Sequence, residues 1–169
     1  AVGEYFNKTF ICYKLDMEKG EGPDFDERYP VAAYPTFMFI KHDGPRVYTV
    51  VGGREATEFI QIGKNANNPE KWISNFEEKY AKGERNPEFL LKYAYTLWES
   101  GNEYQEIANQ YFATQSEAQL ASAINMQAIM DLVESLGKEM TYLMTHRDAF
   151  NEKFGADIVT EKIRIAAIS

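Results

Sequence analysis

One cysteine, Cys12, and two histidines, His42 and His146, supply all the thiol and imidazole in a chain of 169 residues. A single thiol excludes an internal disulfide, a Cys-x-x-Cys redox pair and a multi-thiolate zinc site. With so few ligands a His/Cys metal cluster is set aside, and no metal or cofactor is expected. Positive charge is also short: 18 Lys and Arg stand against 26 Asp and Glu, for a formal charge of −8 and a pI near 4.9. That balance argues against nucleic acid and anionic lipid surfaces, both of which need concentrated positive charge. No run of roughly 18 apolar residues occurs, so no membrane span is expected. The amino terminus lacks a basic stretch followed by an apolar core, so no signal peptide is read there. A chain of this length buries roughly 70% of its unfolded surface, enough for a packed core.

What is present falls into two halves with different periods. Thr9 to Leu15, Thr-Phe-Ile-Cys-Tyr-Lys-Leu, is β-branched and aromatic, and Asp16 to Pro23 closes it with charges and glycines. Asp24 to Tyr29 is mostly polar and has room for one or two helical turns. Phe37 to Ile40 is a short apolar run behind Pro35, and Val47 to Val51 is another, closed by Gly52-Gly53. Between them His42-Asp43-Gly44-Pro45 supplies a reversal, since Asp-Gly favours the positive φ of a tight turn. An antiparallel hairpin is expected. After Gly53 the period lengthens to nearly four. Glu55 to Asn65 suits an amphipathic helix, and Asn68-Pro69 and Asn86-Pro87 both read as helix starts, Asn capping and Pro in the first position. Ser116 with Gln119 forms a capping box opening a helix through Leu120 and Ala128, and Thr145 is expected to cap a piece reaching Phe154. A boundary therefore falls near residues 65–69. Residues 1–66 make a small α/β part and 67–169 an all-helical array of stacked hairpins, a short TPR-like solenoid without exact repetition.

Tyr34-Pro35-Thr36-Phe37-Met38-Phe39-Ile40, taken with the order of landmarks from Thr9 to Gly63, resembles the carboxy-terminal half of a thioredoxin domain. Asp16-Met17-Glu18-Lys19-Gly20-Glu21-Gly22 is most similar to bacterial thioredoxin-like proteins of the exported disulfide-isomerase type, which often carry a helical extension. The fold class is accordingly α/β, a partial thioredoxin-like fold followed by an all-α extension. The resemblance implies that Pro35 is cis, with the Tyr34 backbone turned outward to pair with an extended peptide. Gly52 would lie close by, allowing backbone approach without a Cβ. Tyr34, Pro35, Thr36 and Gly52 are therefore the candidate substrate-binding residues, and no residue is assigned as catalytic. The resemblance also implies a periplasmic or otherwise exported location, and protein or peptide substrates.

The departures from the family matter as much. The family's Cys-x-x-Cys precedes the segment with which this sequence begins, and its first strand, central strand and buried carboxylate have no counterpart. Ala1 to Asn7 corresponds to the tail of a helix following the motif. In the family's sheet the missing strand would separate Phe10–Asp16 from Thr36–Ile40, leaving two strands without a ladder partner. Either they close up, or another chain fills the slot in a homodimer by strand exchange, or a region outside the sequence supplies it. Two functions remain open. One is a fragment of a thiol–disulfide oxidoreductase or isomerase, inert by itself as a dithiol enzyme. The other is a non-catalytic binding module whose helical array takes protein partners.

Each remaining candidate has a plainer reading. Cys12, inside Phe10-Ile11-Cys12-Tyr13, is expected as a buried structural cysteine, because free cysteine packs as a small hydrophobe. His42 is a solvated turn residue, and His146 sits at a helix start with no triad around it. Asp24, Asp26 and Glu27, like Glu18 and Glu21, lack the ligand spacing of a calcium loop and read as a solvated acidic stretch. Tyr93, Tyr95, Trp98, Tyr104, Tyr111 and Phe112 recur at helical spacing and are expected in the core, with a partly open peptide groove as the alternative.

Overall fold

The computed structural model describes residues 1–31 and 33–168. Among them are eleven α-helices and one two-stranded antiparallel sheet, so the molecule is mostly helical with a small β part at its amino-terminal end. The chain divides into two compact units. The first holds Ala1–Glu84 with Glu99–Asn102, and the second holds Arg85–Trp98 with the chain from Glu103 onward.

In the first unit, α1 (Val2–Thr9) is followed by an extended stretch, α2 (Gly22–Arg28) and then the hairpin of β1 (Thr36–Ile40) and β2 (Arg46–Val51). The hairpin forms where the sequence places it. Gly44 takes φ +104° in the turn, and its carbonyl accepts the Tyr29 hydroxyl, which ties the end of α2 to the reversal. The pairing sets Thr36 opposite Val51, Phe37 opposite Val50, Met38 opposite Thr49 and Phe39 opposite Tyr48. Alternation gives the two faces different jobs. Phe37, Phe39, Tyr48 and Val50 form the core face, while Thr36, Met38, Thr49 and Val51 form the other.

The core face is covered by α1 and α3 (Ala56–Ala66), which meet each other. Phe6 stacks on Phe59 with centroids 4.6 Å apart, Phe37 meets Phe59 edge-on at 4.5 Å, and Phe10 meets Phe39 at 5.2 Å. Tyr48, Val50, Ile62 and Ala66 are the buried centre of this cluster. Complete burial of an aliphatic side chain of this size is worth about 1.5–3 kcal/mol, so a hairpin too small to persist alone is held by the helices beneath it. Gly63 permits the close approach. A Cβ there would lie 2.7 Å from a Tyr5 ring carbon and 3.0 Å from one of Phe6.

The expected strand at Phe10–Asp16 does not form. Residues 10–16 carry no strand hydrogen bonding, and Ile11 and Tyr13 are 102% and 77% exposed. A strand exists only through its ladder, and this stretch has no neighbour to pair with among the described residues. Cys12 is accordingly exposed rather than buried. The Asn68-Pro69 start also differs. Asn68 does cap, accepting from the Glu70 amide at 3.0 Å, but it opens only a 3₁₀ turn, Pro69–Lys71. Trp72 then leaves helical geometry, its indole N–H donating to the Ala66 carbonyl at 2.8 Å, and α4 (Ile73–Ala81) begins after it.

The second unit is built of helices: α5 (Pro87–Glu99, whose last residue counts with the first unit), α6 (Gln105–Ala113), α7 (Glu117–Leu120), α8 (Ala123–Leu132), α9 (Lys138–Thr145), α10 (Arg147–Phe154) and α11 (Ala156–Ala166). Asn86 caps α5 through the Phe89 amide at 2.9 Å. The Ser116–Gln119 capping box is present, yet its helix lasts one turn, because Ser122 caps a new one through the Asn125 amide. Thr145 is not a cap. Its hydroxyl donates back to the Thr141 and Tyr142 carbonyls and so ends α9 instead of opening α10. Tyr93, Tyr104, Tyr111 and Phe112 are buried as expected, whereas Tyr95 is half-buried and Trp98 is exposed. Buried Asn125 is fully tied: its carbonyl accepts from the Tyr111 hydroxyl, and its amide donates to the Gln115 side chain and the Gln119 carbonyl.

Candidate functional site

The Tyr34–Pro35 peptide bond is cis, and the turn it makes delivers the chain into β1. Three contacts hold the turn. The Gly52 amide donates to the Pro35 carbonyl at 2.8 Å, the Thr36 hydroxyl donates to the Ala33 carbonyl at 2.6 Å, and Thr36 pairs with Val51. Gly52 has φ +91°, a backbone region that suits glycine, and this conformation directs its N–H at Pro35. Tyr34, Pro35, Thr36 and Gly52, which the sequence groups only by resemblance, thus lie together at one end of the hairpin. Tyr34 is 65% exposed, and among the described residues neither its amide nor its carbonyl takes part in a backbone hydrogen bond. An exposed residue with a free donor and acceptor at the start of a strand offers backbone pairing to an extended chain.

Glu99 feels the charges of Arg54 and Lys71, all three in the first unit. Burial pushes the Glu99 carboxyl up, and Arg54 and Lys71 pull it part of the way back. Tyr48 is likewise pushed up by burial, against the hydrogen bond it accepts from the Asn65 amide at 3.3 Å. Cys12 stands in the exposed extended stretch. His42 is exposed at the turn, and His146 stacks on the Tyr142 ring at 4.0 Å. Among the described residues no group of three or more His, Cys, Asp or Glu side chains comes together as a metal site.

Sequence reasoning missed a cavity of about 320 Å³ on the second face of the hairpin. Pro30, Val31 and Val51 supply its apolar wall, Thr36, Thr49 and Arg46 its polar one, and the Ser100–Asn102 turn closes one side. Every lining residue belongs to the first unit. The one available signal was strand alternation, which puts Thr36, Thr49 and Val51 on a common face. The turn at Ser100–Asn102 had no such signal.

No protein-family model, no curated protein and no solved structure matches this chain.

Proposed function

We propose that the chain is the substrate-platform part of a thioredoxin-like thiol–disulfide oxidoreductase or isomerase, with the reactive thiol pair lying outside it. The observation that carries this reading is Tyr34: exposed, without a backbone partner among the described residues, and fixed beside Gly52 and Thr36 at the mouth of a hairpin. Two further features support it. An extended stretch, a short helix, the Pro35 turn, a hairpin and a closing helix follow one another in the family order, and α1 and α3 share one face of the sheet. With a single cysteine, the chain's own contribution is to hold an extended peptide along Tyr34–Thr36 while a thiolate from elsewhere attacks the substrate disulfide. In that exchange one sulfur–sulfur bond breaks as the mixed disulfide forms, and the departing sulfur leaves as thiolate. The reading brings an exported, oxidising compartment with it. It also brings strand exchange between two copies, because residues 10–16 and the outer edges of the hairpin have no ladder partner among the described residues.

The second reading is a non-catalytic module that binds protein partners through its helices. One observation favours it: Trp98 on α5 is exposed and meets Tyr95 edge-on at 6.0 Å, a rigid aromatic pair of the kind that anchors interfaces.

Titrating an extended, cysteine-free peptide into ¹⁵N-labelled protein separates the two. The platform reading expects shifts concentrated at Tyr34, Thr36 and Gly52, abolished when alternate peptide amides are N-methylated and can no longer pair. Shifts confined to α5 and the helices after it would overturn that reading in favour of the second.

A further inference from the structure

We propose that the cavity on the second face of the hairpin is a binding site for a small organic carboxylate bearing a short apolar chain. The site is separate from peptide binding at Tyr34 and does not depend on it, although Thr36 borders both.

An unsatisfied group is the first observation. Thr49 is 5% exposed, lines the cavity, and its hydroxyl has no hydrogen-bond partner among the described residues. Buried hydroxyls are almost always paired, and an unpaired one is costly unless something else meets it. Its place on β2 explains the orientation. Register puts Thr49 on the same face as Thr36 and Val51, away from the aromatic core. Valine there would fill the same volume without the cost, so the hydroxyl makes sense as a ligand contact.

Arg46 is the second observation. Among the described residues it is the one charged residue lining the cavity, it enters no ion pair, and its one side-chain hydrogen bond, to the Pro30 carbonyl, is long at 3.5 Å. A guanidinium without a carboxylate, in a chain carrying eight excess negative charges, is an evident anion partner. Among the described residues no carboxylate lines the space, so a cation is not favoured.

Size and charge narrow the class. The volume stands at the lower end of small-molecule sites, which span roughly 300–1,000 Å³. A single guanidinium matches one negative charge and leaves a phosphate dianion half neutralised. Pro30, Val31 and Val51 offer an apolar chain one wall, while Thr36, Thr49 and Arg46 line the side where the acid would lie.

Butyrate is the probe, titrated into ¹⁵N-labelled protein beside its uncharged analogue butyramide and beside inorganic phosphate. Butyrate is expected to give saturable shifts at Thr36, Arg46, Thr49, Val51 and Gly101 with a dissociation constant on the order of 1 mM or tighter. Butyramide and phosphate are each expected to bind at least about tenfold more weakly. Arg46→Gln, a change at an exposed position that leaves the fold intact, should weaken butyrate about tenfold. Thr49→Val should weaken it by a similar factor, roughly tenfold, while the melting temperature holds or rises, because the unmet hydroxyl is gone. A hydroxyl with only a structural role would leave the affinity for butyrate unchanged, whatever the melting temperature does. The proposal is overturned by the absence of saturable shifts up to about 10 mM, by equal binding of butyramide or phosphate, or by variants that bind as the parent does.

Discussion

Glu99 shows how one side chain makes the whole fold sensitive to pH. Burial pushes its carboxyl above the usual value of 4.5, and the cations of Arg54 and Lys71 only partly offset that. A carboxyl raised in the folded state binds more protons there than in the unfolded chain, so its contribution to stability is complete below the unfolded pKa. That contribution is lost as pH rises through the folded pKa. Burial pushes the Tyr48 hydroxyl further up, away from this window, so it does not share in the change. Replacing it with glutamine removes the titration. In urea melts, the stability of Glu99→Gln relative to the parent is expected to increase as pH is raised from 4 through the slightly acidic range. A difference that stays flat with pH, or shrinks, would show that the carboxyl is not desolvated. The same scale explains what could be read from single residues and what could not. Asn86 and Ser116 act as the caps their chemistry suggests, because a cap needs only its own first turn. Cys12 does not pack as a small hydrophobe, because its burial depended on a strand that has no partner.

At the scale of elements, legibility follows the distance over which an element finds its hydrogen bonds. The hairpin and α3 satisfy their backbones locally and were visible in the pattern of Asp43-Gly44, alternating apolar residues and Glu55. Residues 10–16 have equally strong β propensity but need a ladder from elsewhere, and propensity alone does not make a strand. The break between α7 and α8 was hidden for the opposite reason: Leu120, Ala121 and Ala123 are good helix formers, and Ser122 among them looked like a helix interior until its hydroxyl capped Asn125. The resemblance grouped Tyr34, Pro35, Thr36 and Gly52, whereas the cavity beside them is assembled from three stretches distant in sequence, which no local pattern records. Where two helices touch, the test is steric. Gly63→Ala gains about 1 kcal/mol of helix propensity but drives a methyl into the Tyr5, Phe6 and Phe10 rings. Overpacking costs about 1–3 kcal/mol, and Phe6 is pinned by its stack on Phe59, so repulsion wins. Urea unfolding is expected to show a net loss on the order of 1 kcal/mol. Gly3→Ala in α1, where a Cβ would meet nothing within 4 Å, should instead gain about 0.5 kcal/mol. Equal and favourable effects at both positions would mean that α1 and α3 do not approach as closely as Gly63 allows.

For the whole molecule, the consequential feature is backbone without a partner. The sheet has two strands and therefore two outer edges, and residues 10–16 add an extended stretch presenting Ile11 and Tyr13 to solvent. Exposed, apolar, extended backbone is a template for pairing with another chain unless charge or proline blocks it, and Lys14 is the only charged residue between Phe10 and Leu15. Opposing this is the net charge of −8, which repels two copies at low ionic strength. Salt shortens that repulsion to about 8 Å at physiological strength while leaving strand pairing and apolar contact intact. Association is thus expected to rise with both protein concentration and salt. Sedimentation should move from the 19.4 kDa monomer towards twice that mass along either axis. Tyr13→Lys places a second charge on the extended stretch without touching the aromatic cluster on α1 and α3, and it should restore the monomer under the same conditions. A monomer at every concentration and salt would remove strand exchange from consideration. A dimer that ignores Tyr13→Lys would place the contact on a surface other than residues 10–16.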